Sequence, residues 1–169
     1  MTTQTIERTT LSNLVFNEEY CRKVLPFIKP DYFDVKEERV LFEEITNFVD
    51  KYKKIPTKIS LEIEVETRKD LTQDQHTKIV EIIQTLDETK VDMEWLVDTT
   101  EKFCKDKAIY NAIVEGISII DGKDKNREAD AIPSILTDAL AVCFDNAVGH
   151  DYLDAVSYTH LTLPTSTTV

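Results

Sequence analysis

Gly116 and the run Gly122-Lys123-Asp124 are the nearest this chain comes to a loop that could cradle phosphates. Such a loop, G-x-x-x-x-G-K-[ST], needs glycines so that backbone amides can approach the phosphates. It also needs a lysine to reach the outer phosphates and a hydroxyl beside the metal ion. Here the glycine spacing is one residue too long, Asp124 stands where the hydroxyl should be, and Gly116 falls inside a helical pattern. Neither a G-x-S-x-G nucleophile turn, an H-E-x-x-H zinc pair nor an EF-hand loop occurs. His76, His150 and His160 share no ligand spacing. Cys21, Cys104 and Cys143 are odd in number, far apart and without a C-x-x-C pair, which points to reduced thiols in a cytoplasmic protein. Carboxylates are plentiful, as in Glu37-Glu38, Glu43-Glu44 and the Glu62, Glu64, Glu66 series, and are expected to form exposed acidic helix faces. Trp95 and Tyr110 are expected in the core or a subunit seam rather than as a base-stacking platform. No catalytic residue, cofactor site or metal ligand set is expected in this chain.

A net charge of −12 argues against a domain whose task is to grip phosphates, because nonspecific nucleic-acid binding runs on clustered Lys and Arg. Two local basic clusters exist, Lys51-Tyr-Lys53-Lys54 and Lys123-Asp-Lys125-Asn-Arg127. Both fall at predicted helix ends, where cations favour the C-terminal dipole. The 169 residues suffice for one domain with its own core. No apolar run approaches the ~20 residues that span a bilayer, and MTTQTIERTT has no signal-peptide core.

Three glycines in the whole chain leave little room for hairpins or bulges, which speaks against an all-β fold. The pattern predicts a helix over 5–15 and a second opened by Asn17 as N-cap, with Glu18 and Glu19 in its first turn, running to about Phe27 despite Pro26. A third is expected from about Val35 to Lys53. Ile59, Leu61, Ile63 and Val65 then alternate strictly with polar residues, which by period alone is a strand. Thr72 and Gln75 form a capping box ahead of Ile79, Val80, Ile83 and Leu86. The longest element is expected from about Asp92 to Ile120, where Leu96, Phe103, Tyr110 and Ile117 recur every seven residues, joined by Ile113 and Ile120. That period is a coiled-coil-like seam. Asp121-Gly122 ends it, a charged loop follows, and Ile132-Pro133 opens a last helix over 132–147 with Ile135, Leu136, Ala139, Val142 and Cys143 on one face. Together these two helices make an αα-hairpin.

Composition changes abruptly after Ala155. VSYTHLTLPTSTTV, residues 156–169, contains no Asp, Glu, Lys or Arg and resembles the one-frame translation of a sequencing adapter. It is expected to be a non-native tail that contributes nothing to folding.

Three segments carry a more specific likeness. Residues 11–20, continuing through 23–27 to Asp31-Tyr-Phe33, resemble the opening of the replicative helicases of T-even-type bacteriophages, members of the DnaB-like family. Trp95-Leu-Val-Asp-Thr-Thr-Glu-Lys-Phe103 with 108–112 is similar to the start of their long hairpin helix. Ala131-Ile-Pro133, Ala139-Leu140, Phe144-Asp145 and 148–152 are similar to their last N-terminal helix and the lead into the linker. The resemblance implies an all-α helical bundle with a protruding C-terminal hairpin. Residues 1–91 would be a globular subdomain, 92–147 a dimerising hairpin and 148–155 the start of a linker. It favours a helix over 59–66, where a lone strand would lack a partner.

The implied role is a non-catalytic collar that pairs subunits of a hexameric ring and docks the phage primase, in the cytoplasm of the infected host. The motor, absent here, would use ATP and Mg to move along single-stranded DNA, 5′ to 3′. The expected subunit interface is Leu96, Phe103, Tyr110, Ile113, Ile117, Ile120, Ile135, Leu136 and Ala139. The competing reading is a standalone acidic all-α phage adaptor that dimerises and has no motor. An α-helical enzyme has no residue constellation behind it.

Overall fold

The computed structural model describes residues 3–144. Its seven α-helices are α1 (Thr3–Phe16), α2 (Glu18–Val24), α3 (Lys36–Tyr52), α4 (Lys58–Thr67), α5 (Gln73–Thr85), α6 (Met93–Ile120) and α7 (Ile132–Leu140). Three short 3₁₀ turns, Leu25–Phe27, Pro30–Tyr32 and Ala129–Ala131, connect them, and no strand occurs among the described residues. The expected 156–169 tail, the linker start and residues 145–147 of the last helix lie outside the described residues.

Helix starts follow their caps. The Asn17 side chain accepts the Tyr20 N–H at 3.0 Å and opens α2. Thr57 and Ser60 form a reciprocal capping box on α4, Thr72 and Gln75 another on α5, and the Asp92 carboxylate accepts the Trp95 N–H at 2.9 Å on α6. Each satisfies backbone donors that a helix start leaves orphaned. Helix ends are equally local. Lys53 closes α3 in the left-handed region at φ 57°, and Gly122, at φ 70°, lies just past the end of α6. Pro26 ends α2 early: the helix stops at Val24 and tightens into a 3₁₀ turn, which a proline that cannot donate tolerates.

The alternating stretch is helical. Leu61 and Val65 are fully buried one turn apart, while Ile59 and Ile63 stay exposed on the opposite side. A strand period and a helix with apolar residues on two faces write the same string here. The last helix is shorter than expected: α7 ends at Leu140, and Val142 and Cys143 follow in irregular backbone. The Ala141 N–H still reaches the Thr137 carbonyl at 3.1 Å, but the Val142 N–H turns back to Ala139.

One core runs from Leu11, Leu14 and Tyr20 through Phe33, Leu41 and Ile45 to Ile79, Ile83 and Leu96. Phe33 sits at its centre, with ring centroids 5.2 Å from Phe42 and 6.2 Å, edge-on, from Phe103. The expectation that the acids are all solvated fails at three positions. Glu7, Glu38 and Glu44 are buried. Glu38 pairs with Arg8, Glu44 with Arg68 at 2.9 Å, and Glu7 accepts the Asp34 N–H at 2.9 Å with the Lys107 ammonium 3.9 Å away. A buried carboxylate must be paired or hydrogen-bonded, so these acids fasten elements together instead of solvating a face.

Candidate subunit interface on the long hairpin

The hairpin stem, α6, has two halves with different surroundings. Its N-terminal half is held by the body of the domain. The Tyr20 hydroxyl meets the Thr100 hydroxyl at 2.7 Å, both buried. Thr100 itself donates to the Leu96 carbonyl at 2.7 Å, so the Tyr20 O–H is the donor of that pair. Burial pushes the Tyr20 phenol well above its usual range and the Cys104 thiol up to about 12, so both are neutral at physiological pH. Further along, Lys107 reaches Asp34 at 2.5 Å and the Asn111 side chain donates to the Asp31 carbonyl at 3.1 Å.

Of the described elements, α7 packs most extensively along α6, and its preceding turn also touches α6. A β-carbon at Gly116 would stand 3.5 Å from Ile132, so α7 lies on the Gly116 side. Ala112 and Ile119 share that side by helical spacing and are buried. The opposite side is left to solvent. Tyr110 is 62% exposed, Ile113 and Val114 48%, Ile117 53% and Ile120 71%. Leu140, near the end of α7, is 70% exposed.

The loop between the helices is pinned by Arg127, which bonds Asp124 at 2.8 Å and pairs with Glu115 on α6. Those two acids hold the Arg127 guanidinium above its usual range, and Asp124 is held below its own by the Asn126 N–H and then by Arg127. The second basic cluster is thus partly spent on closing the hairpin.

The expected interface therefore divides. Leu96 and Phe103 belong to the protomer's own core, at 0% and 6% exposure, and offer no surface to a partner. They lie on the same helical face as Tyr110 and Ile117, but the body, through Phe33, covers that face as far as Phe103. Ala139 is buried, and Ile135 and Leu136 are half-buried against the same core. Tyr110, Ile113, Ile117 and Ile120 are brought together as one uncovered stripe, which Val114 extends. The seven-residue period does not pick out Val114, although it follows Tyr110 by one helical turn. Trp95 is 43% exposed, outside both the core and this stripe.

Among the described residues no group of three or more His, Cys, Asp or Glu is arranged to hold a metal ion, and no helix is long and apolar enough to cross a membrane. What the exposed face of α6 offers is apolar contact.

Comparison with known proteins fits this architecture. The family model for the DnaB-like helicase N-terminal domain matches residues 2–91, which span α1 to α5 and the connector to α6. The chain belongs to the DnaB-like helicase N-terminal domain family. It is also 30% identical over 152 residues to the DnaB-like replicative helicase of Enterobacteria phage T4, a match that takes in 85% of this chain and 32% of that protein. The chain thus spans about a third of the length of the curated relative it matches. A match of that extent runs past the family model and into the hairpin. The described domain is all-α, and the face of α6 from Tyr110 to Ile120 is the part left bare.

Proposed function

We propose that this domain pairs the subunits of a phage replicative helicase by packing the exposed α6 stripe against the same stripe of a second copy. The observation that carries the reading is the run Tyr110, Ile113, Val114, Ile117 and Ile120, apolar over three turns and uncovered by α7. A monomer rarely leaves a contiguous apolar stripe in water, and a surface that is apolar on one helix face suits a two-fold, self-complementary contact. The relative's name supports placing that contact in a replicative helicase. On this reading the whole protein is an ATP-driven 5′–3′ DNA helicase whose ring is built from such pairs, and the domain also docks a primase. The chain's own part is non-catalytic: it sets which subunits are neighbours.

Sedimentation equilibrium of the chain tests the pairing. A reversible dimer across the micromolar range is expected, and a chain that stays monomeric at several hundred micromolar would refute it.

A further inference from the structure

Outside the hairpin, the most exposed large aliphatic side chains among the described residues are Ile59 and Ile63 of α4, at 70% and 55%. With Glu62 and Glu66 they follow the spacing i, i+3, i+4, i+7, so all four share one face of the helix. Leu61 and Val65 anchor the other side in the core. Glu62 and Glu66 make no ion pair among the described residues. The face is therefore a pair of aliphatic knobs set among uncompensated acids.

A complementary surface lies elsewhere on the domain. Between α2, the Leu25–Phe27 turn and the end of α3 is an open recess of ≈ 230 Å³, with Leu25, Val49, Ile55 and the buried Cys21 in its lining. Lys53 and Lys54 stand exposed at its edge and make no ion pair among the described residues. Glu18 and Asp50 also border it. Arg22 takes up Glu18 at 2.6 Å, which leaves the two lysines against Asp50. No residue of α4 lines the recess, so on one copy the two surfaces are separate. In a chain of net charge −12, most surfaces of two copies repel each other; this pair attracts.

We propose that the α4 face of one copy docks in the α2–α3 recess of a second copy. Ile59 and Ile63 meet Leu25, Val49 and Ile55, while Glu62 and Glu66 face Lys53 and Lys54. Knob and hole are both apolar, and acids and cations that lack a partner in the monomer gain one. The contact joins unlike surfaces. It therefore leaves a free face and a free recess to add further copies, closing as a ring or growing as a filament. It rests on different residues from the α6 stripe: the stripe joins copies in twos, and this contact joins those pairs.

Sedimentation velocity of the full chain at several hundred micromolar tests it. The wild type should show an association step that weakens several-fold between ~0.05 and ~0.5 M salt, as exposed charge pairs do. Lys53→Asp/Lys54→Glu should lose that step, aspartate being chosen because it tolerates the left-handed backbone at Lys53. Glu62→Lys/Glu66→Lys should lose it too. An equal mixture of these two variants should regain it, because each one's α4 face then carries the charge opposite to the other's recess. Ile59→Ser/Ile63→Ser should lose the step with no change of charge. Circular dichroism checks that each variant keeps its helix content. Absence of a salt-sensitive step in the wild type, its persistence in these variants, or a mixture of the charge variants that does not restore it would overturn the proposal. None of these substitutions touches the stripe, and Ile117→Asp leaves this step in place, so failure of either contact is seen separately.

Discussion

Ile117→Asp isolates the stripe from the fold. The wild-type side chain is 53% exposed in the protomer, so roughly half of its apolar worth is still available to a partner. Full burial of an isoleucine is worth roughly 1.5–3 kcal/mol, so half is about 0.8–1.5 per subunit and about 1.5–3 for the two copies at a two-fold contact. At ~1.4 kcal/mol per tenfold, that alone weakens the dimer about 10- to 100-fold. The new carboxylate would also be buried without a partner in each copy, at a further ~1 kcal/mol or more each. Dimerisation should therefore fall by at least roughly 100-fold. The fold should survive, because no core contact depends on the exposed half of the side chain. The local penalty is an acid near the negative end of α6, about 0.3–1 kcal/mol. Ile117→Lys, which suits that helix end, controls for it. Sedimentation velocity gives the association and circular dichroism the helix content. Unaltered association in both variants, or a variant that unfolds with Ile117→Lys as well, would refute the assignment of this face.

Three further outcomes test the packing beneath the stripe. Tyr20→Phe removes the donor to Thr100 inside the core and should cost about 0.5–1.5 kcal/mol in chemical denaturation, with no effect on dimerisation. Gly116→Ala should raise stability by up to about 1 kcal/mol, since the added carbon meets Ile132 at an ordinary 3.5 Å and alanine is the better helix former; a lower melting temperature would show that α7 cannot accept it. Glu7 has its pKa raised above the usual 4.5, first by burial, so its proton is held more tightly in the folded chain. That contribution is present in acid and lost as pH rises through the raised value. The melting temperature of Glu7→Gln should therefore gain on the wild type as pH climbs from about 4.5 towards neutrality, and a constant difference would contradict the burial argument.

What the sequence revealed was whatever local chemistry decides. Asn17, Thr57, Thr72 and Gly122 each do at a helix end what their side chain or its absence permits, and each can be read from a few neighbours. The seven-residue period also identifies a real face of α6. It does not say what covers that face. Leu96 and Phe103 share it with Ile117 yet are core, because α1, α2 and the Pro30–Tyr32 turn come back in space to enclose them. Long-range packing leaves no periodic trace. Glu38 and Glu44 illustrate the same limit, since their partners Arg8 and Arg68 lie 30 and 24 residues away. The stretch 59–66 was ambiguous for a different reason: with apolar residues on two faces of one helix, its spacing satisfies both periods.

Among the described residues, the hydrogen bond from Asn111 to the Asp31 carbonyl is the last polar tie from the body to α6. The nine residues from 112 to 120 therefore project as a beam fixed at one end, about 13 Å long and stiffened along one side by α7. Such a beam passes torque to its root better than it bends. A load applied at Ile117 or Ile120 runs down one continuous helix, past the Asp34–Lys107 and Asp31–Asn111 ties, to Phe103 and Leu96 inside the core. Arm and body therefore turn together, because the helix that forms the arm is rooted in the core.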